Sequence, residues 1–233
     1  MNKIEMANYL DHAVLDPSMS IEELKQAIMI GVNNKCKTVC VNSAAIDIAK
    51  ACLKESETKL CVVCDFPFGS SSLKSKLAQV QAIIDEKDIS EIDLVGNYGL
   101  IKSGKLSVFT KEINEVTQLC HHNKIILKVI IETDALTKDE IVKATKCCIA
   151  ANADFVKTST CYFKSDTLIG ADPEVIELIV KTADNKIKVK GSGCIRSQIR
   201  LLELIDLGID RAGVGYKSTE KILNTQSTVE SAY

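Results

Sequence analysis

At 233 residues, with 46% hydrophobic and 26% charged side chains, the chain has the composition of one globular domain able to bury a sizeable core. A net charge of −2 makes no electrostatic case for nucleic acid or an anionic membrane as partner. No apolar run approaches the roughly 20 residues of a bilayer span, and Glu5 and Asn8 interrupt any leader-like apolar core, so a cytoplasmic protein is expected.

Ten cysteines call for an explanation. Cys61 and Cys64 form a C-x-x-C, but they sit in a strand-like run where residues three apart face opposite sides, so they cannot share one metal ion. No second pair has zinc-finger spacing, and His12, His121 and His122 complete no ligand set. The expectation is no metal, with most thiols acting as small core residues in a reducing compartment.

Apolar, β-rich segments recur along the whole chain with helical patterns between them. In order they are 9–12, 38–42, 60–65, 91–95, 125–132, 153–160, 187–190 and 211–215. Ser20-Ile-Glu-Glu23 is a capping box that opens a helix, and Gly31 suits its C′ position. Thr137-Lys-Asp-Glu140 repeats the box ahead of a helix over Ile141–Ala150. Asp172-Pro173 supplies an N-cap followed by proline at the first helical position, and Ser197 starts a helix that Gly208 ends.

Strict β–α alternation implies parallel strands joined by right-handed crossovers. Eight such units predict a single-domain α/β protein, a (β/α)₈ TIM barrel over residues 1–216, with an open doubly wound sheet as the alternative. The lack of a Gly-x-Gly-x-x-Gly after the first strand weakens a dinucleotide-binding reading. Residues 217–233 are polar and read as a separable tail.

Barrels of this kind carry their reactive groups at the C-terminal ends of the strands. Those ends hold Asp11, Asn42, Asp65, Asp93 with Asn97, Glu132, Lys157, Lys190 and the glycines at 213 and 215. Alternation puts Glu91, Asp93, Val95 and Asn97 on one face, as it does Lys128, Ile130 and Glu132, and Phe155, Lys157 and Ser159. With those faces inward, three lysines meet several carboxylates. Dense pairing of this sort is more often catalytic than structural. An ordinary lysine is protonated at neutral pH and cannot attack a carbonyl; a neighbouring cation and partial desolvation together change that. Lys157 beside a protonated Lys190, itself held charged by a carboxylate, suits imine formation with an aldehyde or ketone.

The run Ala153-Asp-Phe-Val-Lys-Thr-Ser-Thr160 resembles deoxyribose-phosphate aldolases, as do Leu127–Glu132, Glu91–Val95, Val189–Arg196, Leu10–Pro17 and Thr38–Asn42. These segments span nearly the whole chain in the right order. The resemblance implies a metal-free, cofactor-free class I aldolase, a homodimer or larger assembly. Its substrate would be a small sugar phosphate, 2-deoxy-D-ribose 5-phosphate, split reversibly into acetaldehyde and D-glyceraldehyde 3-phosphate. By matching position it makes Lys157 the Schiff-base nucleophile and Lys190 the cation that activates it. Asp93 becomes the proton carrier, Asp11 the support for Lys190, and Tyr233 a terminal tyrosine that assists proton transfer. Gly191, Ser192, Gly193, Gly213 and Gly215 would cradle phosphate, with Thr158 and Lys128 on the substrate side.

Several positions depart from that pattern. Cys161 follows Lys-Thr-Ser-Thr where glycine is usual, Gly193 is followed by Cys194, the last loop reads Gly213-Val-Gly-Tyr-Lys217, and Ala13 replaces a threonine. Lys217 would add charge there. Cys40 lies where some members carry an aldehyde-trapping thiol, although a buried strand cysteine is the plainer reading. His12, beside Asp11 but on the opposite face, is expected to be structural. The changed loops leave two alternatives open: an aldolase for a different sugar or sugar phosphate, and a catalytically silent barrel kept for protein binding.

Overall fold

A computed structural model describes residues 1–163 and 168–224 of the chain. Eight parallel strands close into a barrel in sequence order. They are β1 Leu10–Val14, β2 Thr38–Val41, β3 Lys59–Cys64, β4 Glu91–Val95, β5 Ile126–Ile130, β6 Phe155–Lys157, β7 Lys188–Ser192 and β8 Arg211–Gly215. Pairing of β1 with β8, Asp11 opposite Gly213, completes the ring. Around it run α1 Lys3–Ala7, α2 Ile21–Asn33, α3 Ile46–Leu53, α4 Leu73–Asp85 and α5 Tyr98–Lys102. The ring of helices continues with α6 Leu106–His122, α7 Lys138–Ala150, α8 Pro173–Ala183, α9 Gln198–Asp206 and α10 Tyr216–Asn224. The expected (β/α)₈ architecture is the observed one.

The helix starts follow the local signals. Ser20 and Thr137 cap α2 and α7 in complete capping boxes, Asp172 caps α8 with Pro173 in its first turn, and Ser197 caps α9. Gly208, with φ +101°, ends α9 in the left-handed region. Gly31 is different: it lies inside α2, not beyond its end. A Cβ there would fall 2.6 Å from the His12 ring, so the position is glycine to let α2 approach β1.

The main apolar core fills the space between strands and helices, with Val39, Val62, Leu94, Leu127 and Val214 facing Ile28, Ile113 and Leu204. Each such side chain contributes roughly 1.5–3 kcal/mol by leaving water. A second, small cluster of Cys40, Cys61 and Val63 lies apart from it. Cys64 belongs to the outer core and Cys61 to the small cluster, so the two face opposite sides as the strand periodicity requires.

Of the boundaries that differ from the sequence reading, two bear on the site. Strand β6 stops at Lys157. The Thr158 hydroxyl donates to the Ser192 carbonyl and accepts from its N–H, tying the chain beyond the strand to β7. The segment from Lys217, read as a polar tail, belongs through Asn224 to α10, whose Thr219, Ile222 and Leu223 are buried. Tyr233 lies outside the described residues. No helix among the described residues is long and apolar enough to cross a membrane.

Candidate active site

Inward-facing positions of β1, β4, β5, β6, β7 and β8 carry Asp11, Glu91 and Asp93, Lys128, Lys157, Lys190 and Arg211, all buried. Among the described residues this interior group holds four cationic side chains and three carboxylates joined by ion pairs. Asp93 is its hub. Its Oδ2 accepts from Lys157 at 2.7 Å and from Lys190 at 2.8 Å, while its Oδ1 accepts from Lys128 at 2.8 Å and from the Cys61 thiol at 3.2 Å. Asp11 pairs with Lys190 at 2.5 Å, with Lys128 at 3.4 Å, and with Arg211. Glu91 closes the network from below, binding Lys128 and Arg211.

Burial alone would keep these groups neutral. It disfavours the charged forms of Asp93 and Asp11 most of all, but the neighbouring ammonium groups outweigh it. Both carboxyls are held below the ordinary carboxylate range, Asp93 by Lys128, Lys157 and Lys190, and Asp11 by Lys128, Lys190 and Arg211. Burial likewise works against the Lys190 ammonium, and Asp11 and Asp93 overcome it, so Lys190 stays charged. Lys128 is fixed as a cation in the same way.

A cavity of about 340 Å³ opens at the C-terminal ends of the strands and reaches this group at Asp11, Lys157 and Lys190. Its opposite wall comes from the loop after β7, the end of β8 and the start of α10, including Gly193, Arg196, Gly215, Tyr216 and Lys217. The catalytic expectations Asp11, Lys157 and Lys190 therefore meet in one place, with Asp93 directly beneath.

The expected substrate residues divide. Ser192, Gly193, Gly213 and Gly215 line the cavity. Gly213 is glycine because a Cβ would lie 3.3 Å from the Lys190 side chain and 2.7 Å from that of Ser192. Gly191 turns the other way, its Cβ position facing Ala171, Ile176 and Leu204. Thr158 is spent on Ser192, and Lys128 is sealed below Asp93; neither lines the cavity. Asp65, with φ +52°, also leaves the interior. Asp65 bonds Ser71 and pairs with Lys76, and the Asn97 N–H donates to Glu112. Glu132 is buried and held by Thr160.

Arg211 was not singled out in the sequence, although it shares the inward face of β8 with Gly213 and Gly215. That alternation was the available signal. No spacing in the sequence suggested a metal-ligand set, yet the fold brings donor atoms of Cys40, Cys61 and Asp93 within 4.8 Å of one another.

A closed parallel barrel whose mouth leads to paired lysines and carboxylates is a (β/α)₈ barrel with a charged cavity at the strand C-termini, the end where enzymes of this architecture carry their reactive centres. The family model described as DeoC/LacD family aldolase matches residues 5–216. A deoxyribose-phosphate aldolase of Mycoplasmopsis pulmonis is 36% identical over 210 residues, 90% of this chain and 92% of that one. A solved structure described as "QR15, an Aldolase" superposes with a TM-score of 0.85 at 31% identity, covering 94% of this chain and 95% of the other. A tetrameric deoxyribose phosphate aldolase from Aeropyrum pernix shares the fold, with a TM-score of 0.85 at 23% identity over 95% and 91% of the two chains. The chain belongs to the DeoC/LacD aldolase family.

Proposed function

We propose that the chain reversibly cleaves 2-deoxy-D-ribose 5-phosphate to acetaldehyde and D-glyceraldehyde 3-phosphate through an imine on Lys157. The observation that carries this is the sharing of Asp93 Oδ2 by Lys157 and Lys190 at the floor of the cavity. A nucleophilic lysine needs its amine unprotonated. Lys190, fixed as a cation by Asp11 and Asp93, supplies the neighbouring positive charge.

The reaction follows from that arrangement. The Lys157 amine adds to the C1 aldehyde of the open-chain sugar, and loss of water gives an iminium. Removal of the C3 hydroxyl proton drives cleavage of the C2–C3 bond, whose electrons pass into the iminium. Glyceraldehyde 3-phosphate departs, and the remaining enamine is protonated at C2. Hydrolysis then frees acetaldehyde and the amine. Asp93 carries the protons, directly or through water, and Asp11 keeps Lys190 charged. Arg196, Lys217 and the backbone at Gly193, Gly215 and Tyr216 face the phosphate end. Tyr233 keeps its proposed part in proton transfer.

The reading extends to deoxynucleoside breakdown in the cytoplasm, which the ten free cysteines suit. It also extends to a homo-oligomer, in line with the tetrameric relative. Cys161 supports weighing a non-phosphorylated sugar as the second reading, because its sulfur lies 3.1 Å from the Cβ position of Gly193, inside the phosphate end.

Borohydride reduction in the presence of acetaldehyde should fix the adduct mass on Lys157, and a coupled retro-aldol assay should show turnover that Lys157→Leu lacks. Turnover surviving that substitution would overturn the mechanism. Faster cleavage of free deoxyribose than of its 5-phosphate would favour the second reading.

A further inference from the structure

Cys40 and Cys61 are register partners on β2 and β3, both in the small inward cluster apart from the main core. Together with Asp93 they place two sulfurs and a carboxylate oxygen within 4.8 Å of one another. A tetrahedral ion with sulfur at about 2.3 Å and oxygen at about 2.0 Å needs donors spaced about 3.5–3.8 Å apart. The observed Cys61 Sγ to Asp93 Oδ1 separation of 3.2 Å is close to that demand, and small rotamer changes supply the rest. Cys40 lines the cavity, so an ion has a route in.

We propose that the barrel floor binds one thiophilic divalent cation, of the Zn²⁺ or Cd²⁺ kind, through Cys40 Sγ, Cys61 Sγ and Asp93. Binding and turnover exclude each other. The ion replaces two thiol protons, which leave to solvent: M²⁺ + 2 RSH + RCOO⁻ gives [M(SR)₂(OOCR)]⁻ + 2 H⁺. Two positive charges enter and two leave, so the net charge of the interior group is unchanged, and the ion displaces the Lys128 ammonium, which donates to Asp93 Oδ1 at 2.8 Å and to Cys61 Sγ at 3.4 Å. A bound ion does, however, take Asp93 Oδ1 and so lowers the basicity of the carboxylate whose Oδ2 Lys157 and Lys190 share. It therefore removes the proposed proton carrier while leaving the fold intact. The inhibition rests on the role proposed for Asp93; the binding does not.

The test uses the full-length protein, reduced and stripped of metal. Titration with Cd²⁺ should give a thiolate-to-metal charge-transfer band saturating near one equivalent, and Zn²⁺ should displace it. Cys40→Ala and Cys61→Ala should each weaken binding by at least about tenfold, the loss that removing a group which merely braces a ligand already produces. Cys52→Ala and Cys147→Ala should leave the band unchanged. Should either pocket variant fail to fold, X-ray absorption of the Zn²⁺-loaded wild type decides: two sulfur neighbours with oxygen or nitrogen completing the shell support the site. A shell without sulfur, or a band indifferent to Cys40 and Cys61, overturns it. Borohydride trapping at Lys157 should fall in step with occupancy and return on chelation. A band at this site with trapping unaffected would refute the exclusion while leaving the aldolase reading standing.

Discussion

Among the described residues, two places bury a lysine completely, and they are built on opposite plans. Between β4 and the outer helices, Lys76 donates to Glu112 at 2.7 Å and to the Val95 carbonyl at 2.9 Å, with Asp65 at 3.4 Å. Glu112 also takes the Asn97 N–H, and Asp65 takes Ser71. One cation faces two carboxylates, and no described cavity reaches it. Inside the barrel the balance is reversed, with cations in excess, one oxygen of Asp93 shared by two lysines, and a cavity at Lys157. A buried lysine surrounded by more acceptors than it needs holds structure together. One that competes with other cations for a single carboxylate, at the end of a passage from solvent, is available for chemistry.

The sharpest way to break that contrast is to delete each lysine. Lys157→Leu should lower retro-aldol turnover by roughly 10⁴-fold or more, the scale of losing a covalent nucleophile, with little change in melting temperature. The measurement is coupled turnover beside a thermal melt. A large drop in stability with residual activity would place Lys157 with the structural lysine. Asp93→Asn probes the shared acceptor and should cost on the order of 10²–10⁴ in kcat, as for a lost proton carrier. It should also abolish the dependence of activity on Lys190, so the double variant with Lys190→Met is no slower than Asp93→Asn alone. A double variant that multiplies the two losses would break the shared-acceptor reading.

Lys76→Met should show the reverse pattern. Removing the cation strands Glu112 and Asp65 in a buried setting, at about 3–5 kcal/mol. For a chain of this size that lowers the melting temperature by on the order of 10 °C. Turnover per folded molecule should stay within about twofold, since no residue of the cavity touches Lys76. Loss of activity without loss of stability would erase the distinction.

The contrast was half legible in the sequence. Strand ends and alternation brought out Asp11, Asp93, Lys157 and Lys190 because each is a local property of one strand. Asp65 stands at a strand end too, but its left-handed backbone turns it outward to Lys76 and Ser71, which alternation does not foresee. Lys76 itself looks like any helix lysine; only the packing of α4 against α6 reveals it. Lys128 was placed at the substrate because its face was read correctly and its depth was not. The Cys40–Cys61 pair depends on the register between β2 and β3, which no single strand encodes. The barrel was easier, since eight apolar segments and repeated capping boxes all require the same answer.

Neighbours on β1 carry the contrast to its smallest scale. Asp11 points in, toward Lys190; His12 points out, with Nδ1 2.8 Å from the Thr219 hydroxyl and Nε2 2.8 Å from the Ala27 carbonyl. Burial lowers the His12 pKa from 6.5 to about 4, the Ala27 carbonyl offsetting only part of it. Between those values the unfolded chain binds a proton that the folded chain does not, so stability rises with pH across the window and falls as pH drops through it. The shift amounts to about 3 kcal/mol, fully present above the unfolded value and spent by the time the folded value is reached. Asp11 and Asp93, both lowered, add their losses only at more acidic pH, below the ordinary carboxylate value. Urea unfolding at a series of pH values should therefore show a first decline assignable to His12, and His12→Gln should flatten it without altering turnover at neutral pH. A decline that survives His12→Gln would mean that the outward face of β1, too, is governed by the ionic interior.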